Sequence, residues 1–357
     1  MRIIHVENLN QKMKLAKPVY HQDRLLLNTG CDNLQNYKSR LLELGINYIY
    51  INDKMSQDIE IPEIINSETR KKGIITIKKT LKNISNNKKI NIKEVKLVVK
   101  DIIDDILNNQ NILVNLSYIN DYDSYTFSHS VNVAVLSLIL GKNLGYNSKK
   151  LLQLGVGALL HDIGKVSIPE EILKKKGKLT DKEFKIIQKH PALGYKNLKI
   201  YNQISPLSRT IILHHHEKVN GSGYPKGLKQ NQLHEFIRIV TIADVFDALT
   251  SDRCYRNKWP IAKAVELLIS NSNTEFDADL VNKFIQNIAI YPNGTLVKLS
   301  NGQTAIVKEQ NNDFPTRPVI KIVKDKLGNE LKEYQEINLI TQHNITIVSD
   351  EGAKKLG

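Results

Sequence analysis

Between residues 121 and 290, apolar residues recur at helical spacing in one segment after another. The histidines and aspartates of that region lie inside the apolar pattern instead of outside it. The spacing predicts helices over Phe127–Leu140, Lys149–Leu160, Asp181–His190, Ser208–His216, Phe236–Leu249, Ile261–Ile269 and Ala278–Ile290. Thr180 and Glu183 have capping-box spacing before the third of these. Leu159-Leu160-His161-Asp162-Ile163-Gly164-Lys165 and Ile242-Ala243-Asp244-Val245-Phe246-Asp247 each set carboxylates among aliphatic residues. Burying such a group costs several kcal/mol unless it is paired or bound to a cation. The region must therefore be a helical bundle with a polar, charge-compensated centre.

The flanks differ. Residues 1–66 read as a small mixed α/β module: short apolar runs (Leu25 to Leu27, Tyr48 to Ile51) and a helix over Leu34–Leu44 stopped by Gly45. Residues 67–120 read as a basic helical linker, with Ile74, Ile77, Leu81 and Ile84 on one face and Arg70, Lys71, Lys72, Lys78, Lys79 and Lys82 around it. Residues 121–290 read as the helical domain that holds these buried carboxylates. Residues 291–357 are a small antiparallel β module and tail, with a hairpin signal at Asn301-Gly302 and a further turn at Gly328-Asn329. The fold class expected is mainly α.

With 51 Lys+Arg against 37 Asp+Glu, the net charge is +14. The basic run near residues 70–89 lacks interleaved aromatics to stack bases, so a nucleic-acid polymer is not the expected partner. No stretch approaches the roughly 18 uncharged apolar residues of a membrane span, the N-terminus shows no secretory h-region, and there are only two cysteines. A cytoplasmic protein is expected.

Six of the ten histidines, His129, His161, His190, His214, His215 and His216, fall between residues 129 and 216. Imidazole and carboxylate together suit iron, manganese or zinc. Cysteine is absent from the cluster, which excludes a cysteine-type structural zinc site.

At these residues the chain resembles the HD-GYP family of metal-dependent phosphodiesterases, a branch of the HD superfamily. The matching stretches are His161-Asp162-Ile163-Gly164-Lys165, His190-Pro191, the run His215-His216-Glu217 to Gly221-Ser222-Gly223-Tyr224-Pro225, Ala243-Asp244-Val245-Phe246-Asp247-Ala248, and Arg253-Cys254-Tyr255-Arg256. They follow the family order. One departure is Asn220, where the family usually has Asp.

The resemblance implies a helical bundle that hydrolyses cyclic di-GMP to pGpG or on to GMP through a hydroxide at a binuclear metal centre. One metal would be held by His129, His161, Asp162 and Asp244, the other by Asp162, His190, His215 and His216, with Asp162 bridging. Iron is the metal the family suggests, with manganese as a substitute. Some members bind a third metal through a Glu four residues before the first His; here Tyr125 stands there, and a phenol is a poor ligand at neutral pH. Asp162 and Lys165 would be catalytic. Lys165, Arg253 and Arg256 would meet phosphate, and Gly223, Tyr224 and Pro225 would form a loop that touches substrate or a protein partner. Glu217 and Asp247 would orient other groups. Two other functions share these residues: a catalytically weak cyclic dinucleotide receptor, and a phosphodiesterase for 3′,3′-cyclic GMP-AMP.

Overall fold

The computed structural model describes residues 1–21, 24–109, 113, 125–175, 177–251 and 258–350, with side chains from 127 onward in the helix that begins at 125. In the N-terminal part, β1 (Arg2–His5), β2 (Lys14–Leu15), β3 (Val19–His21), β4 (Arg24–Leu27), α1 (Lys38–Glu43) and β5 (Tyr48–Asn52) follow in turn. The sheet order is β1-β5-β2, antiparallel, with β3 and β4 as a separate hairpin. Leu15, Leu34, Leu41, Ile49 and Ile51 close its core. Gly45 has φ +74°, the left-handed geometry that ends a helix.

The central part runs α2 (Ser67–Ser85), α3 (Ile92–Asn108), α4 (Tyr125–Asn143), α5 (Ser148–Leu159), a 3-10 turn at Ile163–Ser167, α6 (Glu170–Leu173), α7 (Asp181–Ile187), α8 (His190–Leu198), α9 (Pro206–His214), α10 (Glu235–Thr250), α11 (Ile261–Ser270) and α12 (Ala278–Ile285). α4 is apolar nearly all round and runs through the middle, against α2, α3, α5, α10 and α12. α2 and α3 do more than connect. Ile77, Val95, Val99, Ile102 and Ile106 share one core with Val131, Leu138 and Leu154, while the lysines of α2 stay outside. None of the described helices is long and apolar enough to cross a membrane.

The C-terminal part is a five-stranded antiparallel sheet in the order β10-β6-β7-β8-β9, built from β6 (Leu296–Leu299), β7 (Thr304–Glu309), β8 (Val319–Lys324), β9 (Glu330–Asn338) and β10 (Ile347–Asp350). Gly302 (φ +86°) and Gly328 (φ +88°) make its two tight turns. Ile59 packs on Ile306 and Val323 of this sheet, and Asp58 pairs with Lys321. The molecule is mainly α, with a small α/β module at one end of the sequence and a β module at the other.

The expected helix over Leu34–Leu44 is a 3-10 turn at Leu34–Tyr37 followed by α1, and two boundaries in the central part differ from the spacing by several residues. The segment expected over Asp181–His190 is two helices, because the chain leaves α7 at Gln188 and His190 opens α8. The helix expected to reach Ile290 ends at Ile285. Ile288, Ala289 and Ile290 are then all buried (1%, 0% and 7% exposed), which consecutive residues on a one-sided helix cannot be. The capping box at Thr180 forms: Glu183 N–H donates to Thr180 Oγ1 at 3.3 Å, and Thr180 N–H donates to Glu183 Oε2 at 2.7 Å.

Candidate metal centre

Helix ends place the imidazoles. The last carbonyls of a helix lack an intrahelical donor, and three histidines supply one. His161 Nδ1 lies 2.7 Å from Ala158 O, His190 Nδ1 2.7 Å from Ile187 O, and His215 Nδ1 3.0 Å from Ile212 O. His161 and Asp162 therefore lie just past the end of α5, where the helix expected over Lys149–Leu160 has stopped. A carbonyl only accepts, so each of these Nδ1 atoms carries a proton, and in the neutral ring Nε2 is the atom left to ligate. His129, on α4, is held in the same way by Asp247 Oδ2 at 2.7 Å from its Nδ1.

The Nε2 atoms converge on two carboxylates. His129 Nε2 is 3.1 Å from Asp244 Oδ1 and 3.6 Å from Asp162 Oδ2; His161 Nε2 is 3.3 Å from Asp162 Oδ2 and 3.9 Å from Asp244 Oδ1. On the other side of Asp162, Oδ1 is 3.3 Å from His190 Nε2 and 3.8 Å from His215 Nε2. His216 Nδ1 is 3.6 Å from Asp244 Oδ2. His161, His190 and His215 are fully buried; Asp162 and Asp244 are 4% and 7% exposed. Ligand atoms of Asp162, His190, His215 and His216 lie within 4.8 Å of one another, as do those of His129, His161 and Asp162, and those of His161, His215 and Asp244.

This donor set fits metal. His190 Nε2 and His215 Nε2 are 3.3 Å apart, two lone pairs facing each other that repel unless a cation lies between them. His161 Nε2 and Asp162 Oδ1 are buried without a hydrogen-bond partner, a costly state that coordination removes. Imidazole nitrogen with carboxylate oxygen is the chemistry of divalent transition metals.

The electrostatics follow from this packing. Burial would raise the Asp162 carboxyl, but Lys165 and the adjacent His161 outweigh it and hold the group well below the usual carboxylate range. Asp244 is held low against its burial by the hydrogen bond from His129. Burial and neighbouring imidazoles push His215 well down, and burial pushes His216 down to about 3. His129 goes the other way: Asp244 and Asp247 override burial and raise it to about 9.

Around this centre, Lys165 Nζ lies 2.5 Å from Asp162 Oδ2 with its side chain 30% exposed. Gly164 lets the 3-10 turn meet α8, because a Cβ there would stand 1.9 Å from His190 O. Glu217, buried, accepts from Lys226 N–H at 2.8 Å and Leu228 N–H at 2.9 Å, tying down the loop. Gly223 has no room for a side chain, since its Cβ would lie 2.5 Å from His216 O and Glu217 Cα. Tyr224 then packs its ring on His216, centroids 4.8 Å apart, and Pro225 follows, exposed. Asn220 Oδ1 accepts from Ser222 N–H at 2.9 Å, so the amide makes this turn without a charge. Arg253, Arg256 and the Tyr125 side chain lie outside the described residues. His214 approaches Glu217 at 3.5 Å and faces away from the cluster.

Sequence reasoning missed Asn132 and Thr241. Asn132 Nδ2 donates to Asp247 Oδ1 at 2.9 Å; its position one turn after His129 in an apolar helix was the available signal. Thr241 Oγ1 donates to His215 O at 2.8 Å, fixing α10 to the histidine pair.

Residues 113–280 match the HD domain family, and residues 296–355 match a KOW domain associated with the HD domain. A cyclic di-GMP phosphodiesterase of Pseudomonas aeruginosa is 38% identical over 225 residues, 63% of this chain and 54% of that protein. One of Borreliella burgdorferi is 32% identical over 228 residues, 63% of this chain and 59% of its own. A 3′3′-cGAMP-specific phosphodiesterase of Vibrio cholerae is 37% identical over 155 residues, 43% of this chain and 34% of that protein. The chain thus spans a little over half the length of the first two relatives. Over residues 113–280, just under half of the chain, the similarity is to the HD domain family, and the stretch carries the His161-Asp162 pair and Asp244.

Proposed function

We propose that the chain is a metal-dependent phosphodiesterase that hydrolyses cyclic di-GMP, in the cytoplasm, to pGpG, GMP or both. The observation that carries this reading is the pair of bare Nε2 atoms of His190 and His215, 3.3 Å apart beside the unpartnered Asp162 Oδ1. His129, His161, Asp162 and Asp244 would hold one cation and Asp162, His190, His215 and His216 a second, iron natively and manganese as substitute. When bound, two such cations supply Lewis acidity, lowering the pKa of water toward neutrality and offsetting phosphate charge.

The chain's own residues do the rest. The Nδ1 contacts of His161, His190 and His215 to carbonyls, and of His129 to Asp247, fix the ring orientations and aim each Nε2 inward. Asp162 faces both halves of the cluster, so one carboxylate sets their separation. Water attacks phosphorus, the bond from phosphorus to the ribose 3′ oxygen breaks, and that oxygen needs a proton. Lys165, part exposed beside Asp162, is placed to donate it or to neutralise the phosphate. Arg253 and Arg256 would grip the phosphates bidentately. Gly223, Tyr224 and Pro225 shape the rim, contacting either a base or a protein partner. The division at residues 66, 120 and 290, with a regulatory-type module first and a β module last, belongs to the same proposal.

A second reading keeps the chemistry and changes the base: the Vibrio cholerae relative carries the name of a 3′3′-cGAMP enzyme. Incubating manganese- or iron-loaded protein with each cyclic dinucleotide and separating products by chromatography tests both. A linear dinucleotide from cyclic di-GMP supports the proposal, and preferential cleavage of 3′,3′-cyclic GMP-AMP supports the second reading. Tight binding without turnover makes the chain a receptor instead.

A further inference from the structure

A hydrogen-bonded file of residues runs from outside the matched HD domain to a histidine of the cluster. Arg70 lies in the first turn of α2, more than forty residues before the HD match begins at 113. Its Nη1 donates to Asn132 Oδ1 at 2.7 Å. Asn132 Nδ2 donates to Asp247 Oδ1 at 2.9 Å, and Asp247 Oδ2 takes His129 Nδ1–H at 2.7 Å. The polarity of the file is fixed at both ends: a guanidinium only donates and a carboxylate only accepts, so the Asn132 amide has one orientation. Asn132 and Asp247 are 3% and 1% exposed, so water does not stand in for a lost partner.

The backbone holds this register. Gly73, one turn after Arg70, brings α2 so close to α4 that a Cβ would lie 2.9 Å from Val131 Cγ2. Asn66 caps α2 by accepting from Thr69 N–H at 2.8 Å, and its Nδ2 donates to Asp105 on α3 at 2.9 Å. Both ends of the Arg70–Asn132 bond are thereby carried on helices locked in one core.

We propose that Arg70 is a positioning residue for the metal centre, acting through Asn132 and Asp247 on His129, so that α2 completes the site from outside the HD domain. This rests on the metal reading above. Loss of Arg70 leaves the buried Asn132 Oδ1 without its donor, frees the amide to turn, and takes a constraint from Asp247. Partners behind a ligating histidine typically change metal affinity by about 10–100-fold. Arg70 stands two residues further back, behind Asn132 and Asp247, which puts its effect at about the lower end of that range.

The test is a manganese titration of metal-free full-length protein, following free Mn(II) by electron paramagnetic resonance, with kcat and KM measured alongside. Arg70→Ala is expected to weaken one of two manganese sites by about tenfold and leave the other unchanged. KM for cyclic di-GMP should hold while kcat falls at limiting metal. Arg70→Lys, which still donates to Asn132, should recover most of the affinity; it also serves if Arg70→Ala fails to fold. Lys71→Ala, exposed on the same helix, should match wild type. In an Asn132→Ala background, Arg70→Ala should cost nothing further. Wild-type affinity at both sites in Arg70→Ala, or an equal loss in the Asn132→Ala background, overturns the inference and leaves the metal reading intact. A wild-type protein that binds fewer than two manganese ions overturns both.

Discussion

Gly164 is where one methyl group should disable the centre. A Cβ there would lie 1.9 Å from His190 O and 2.5 Å from Gly194 N, both backbone atoms of α8, where ordinary contact begins at 3.4 Å. Relieving the first contact takes a displacement of about 1.5 Å, the gap between those distances. The displacement falls on α8, whose first residue is His190, or on the turn that starts at Asp162. Metal–ligand distances tolerate only about 0.2 Å. The His190 Nε2 to Asp162 Oδ1 approach, 3.3 Å, would open well beyond that. The expected result for Gly164→Ala is loss of the metal that His190 would hold and a fall of about 10²-fold in kcat/KM, as for a misplacement on the ångström scale. Overpacking should cost about 1–3 kcal/mol of stability. Metal content after dialysis, turnover and the thermal midpoint of the metal-free protein read these separately. A Gly164→Ala protein that keeps two metals and wild-type kcat/KM refutes the steric argument.

Further outcomes follow from the same geometry. Glu217→Ala strips the acceptor from two part-buried backbone N–H groups, at about 1 kcal/mol each, the low end for an unsatisfied donor, and should raise KM by loosening the loop under Tyr224; an unchanged KM and thermal midpoint would count against that role. His129, raised from 6.5 to about 9 in the metal-free protein, adds stability that is full below pH 6.5 and is lost as pH rises through about 9. Metal must displace its Nε2 proton, so calorimetry in buffers of different ionisation enthalpy should show about one proton released per chain at pH 7, with affinity rising up to about pH 9; His215 and His216, already neutral, release none. Arg253→Ala should raise KM for cyclic di-GMP with kcat little changed, and an unaltered KM would argue against a phosphate contact.

Sequence pattern exposed some of this and hid the rest for physical reasons. His161-Asp162 and His215-His216 were visible because each pair is local and set in apolar surroundings, where an uncompensated polar group is costly. That His190 and Asp244 share a centre with them came from the motif resemblance; no spacing within one helix could have placed residues that far apart. The break before His190 had a signal in Pro191, which has no N–H to offer Ile187 O four residues back; the His190 side chain takes that carbonyl instead. Arg70 was invisible because its partner lies 62 residues away in sequence, and Asn132, whose acceptor is 115 residues away, was signalled only by its place one turn after His129. The basic character of α2 pointed outward to solvent, while the residue on it that reaches the site is the one arginine turned inward.

The central claim is that these histidines and aspartates form a two-metal hydrolytic centre. Its most direct test is to titrate metal-free protein with manganese while following cleavage of cyclic di-GMP. The account predicts no turnover without metal, a rate that rises to a plateau at two equivalents per chain, and no activity at any metal concentration in a His161→Ala, Asp162→Ala double variant. Full activity without metal, a plateau that requires a third equivalent, or two bound manganese ions with no cleavage would each contradict it.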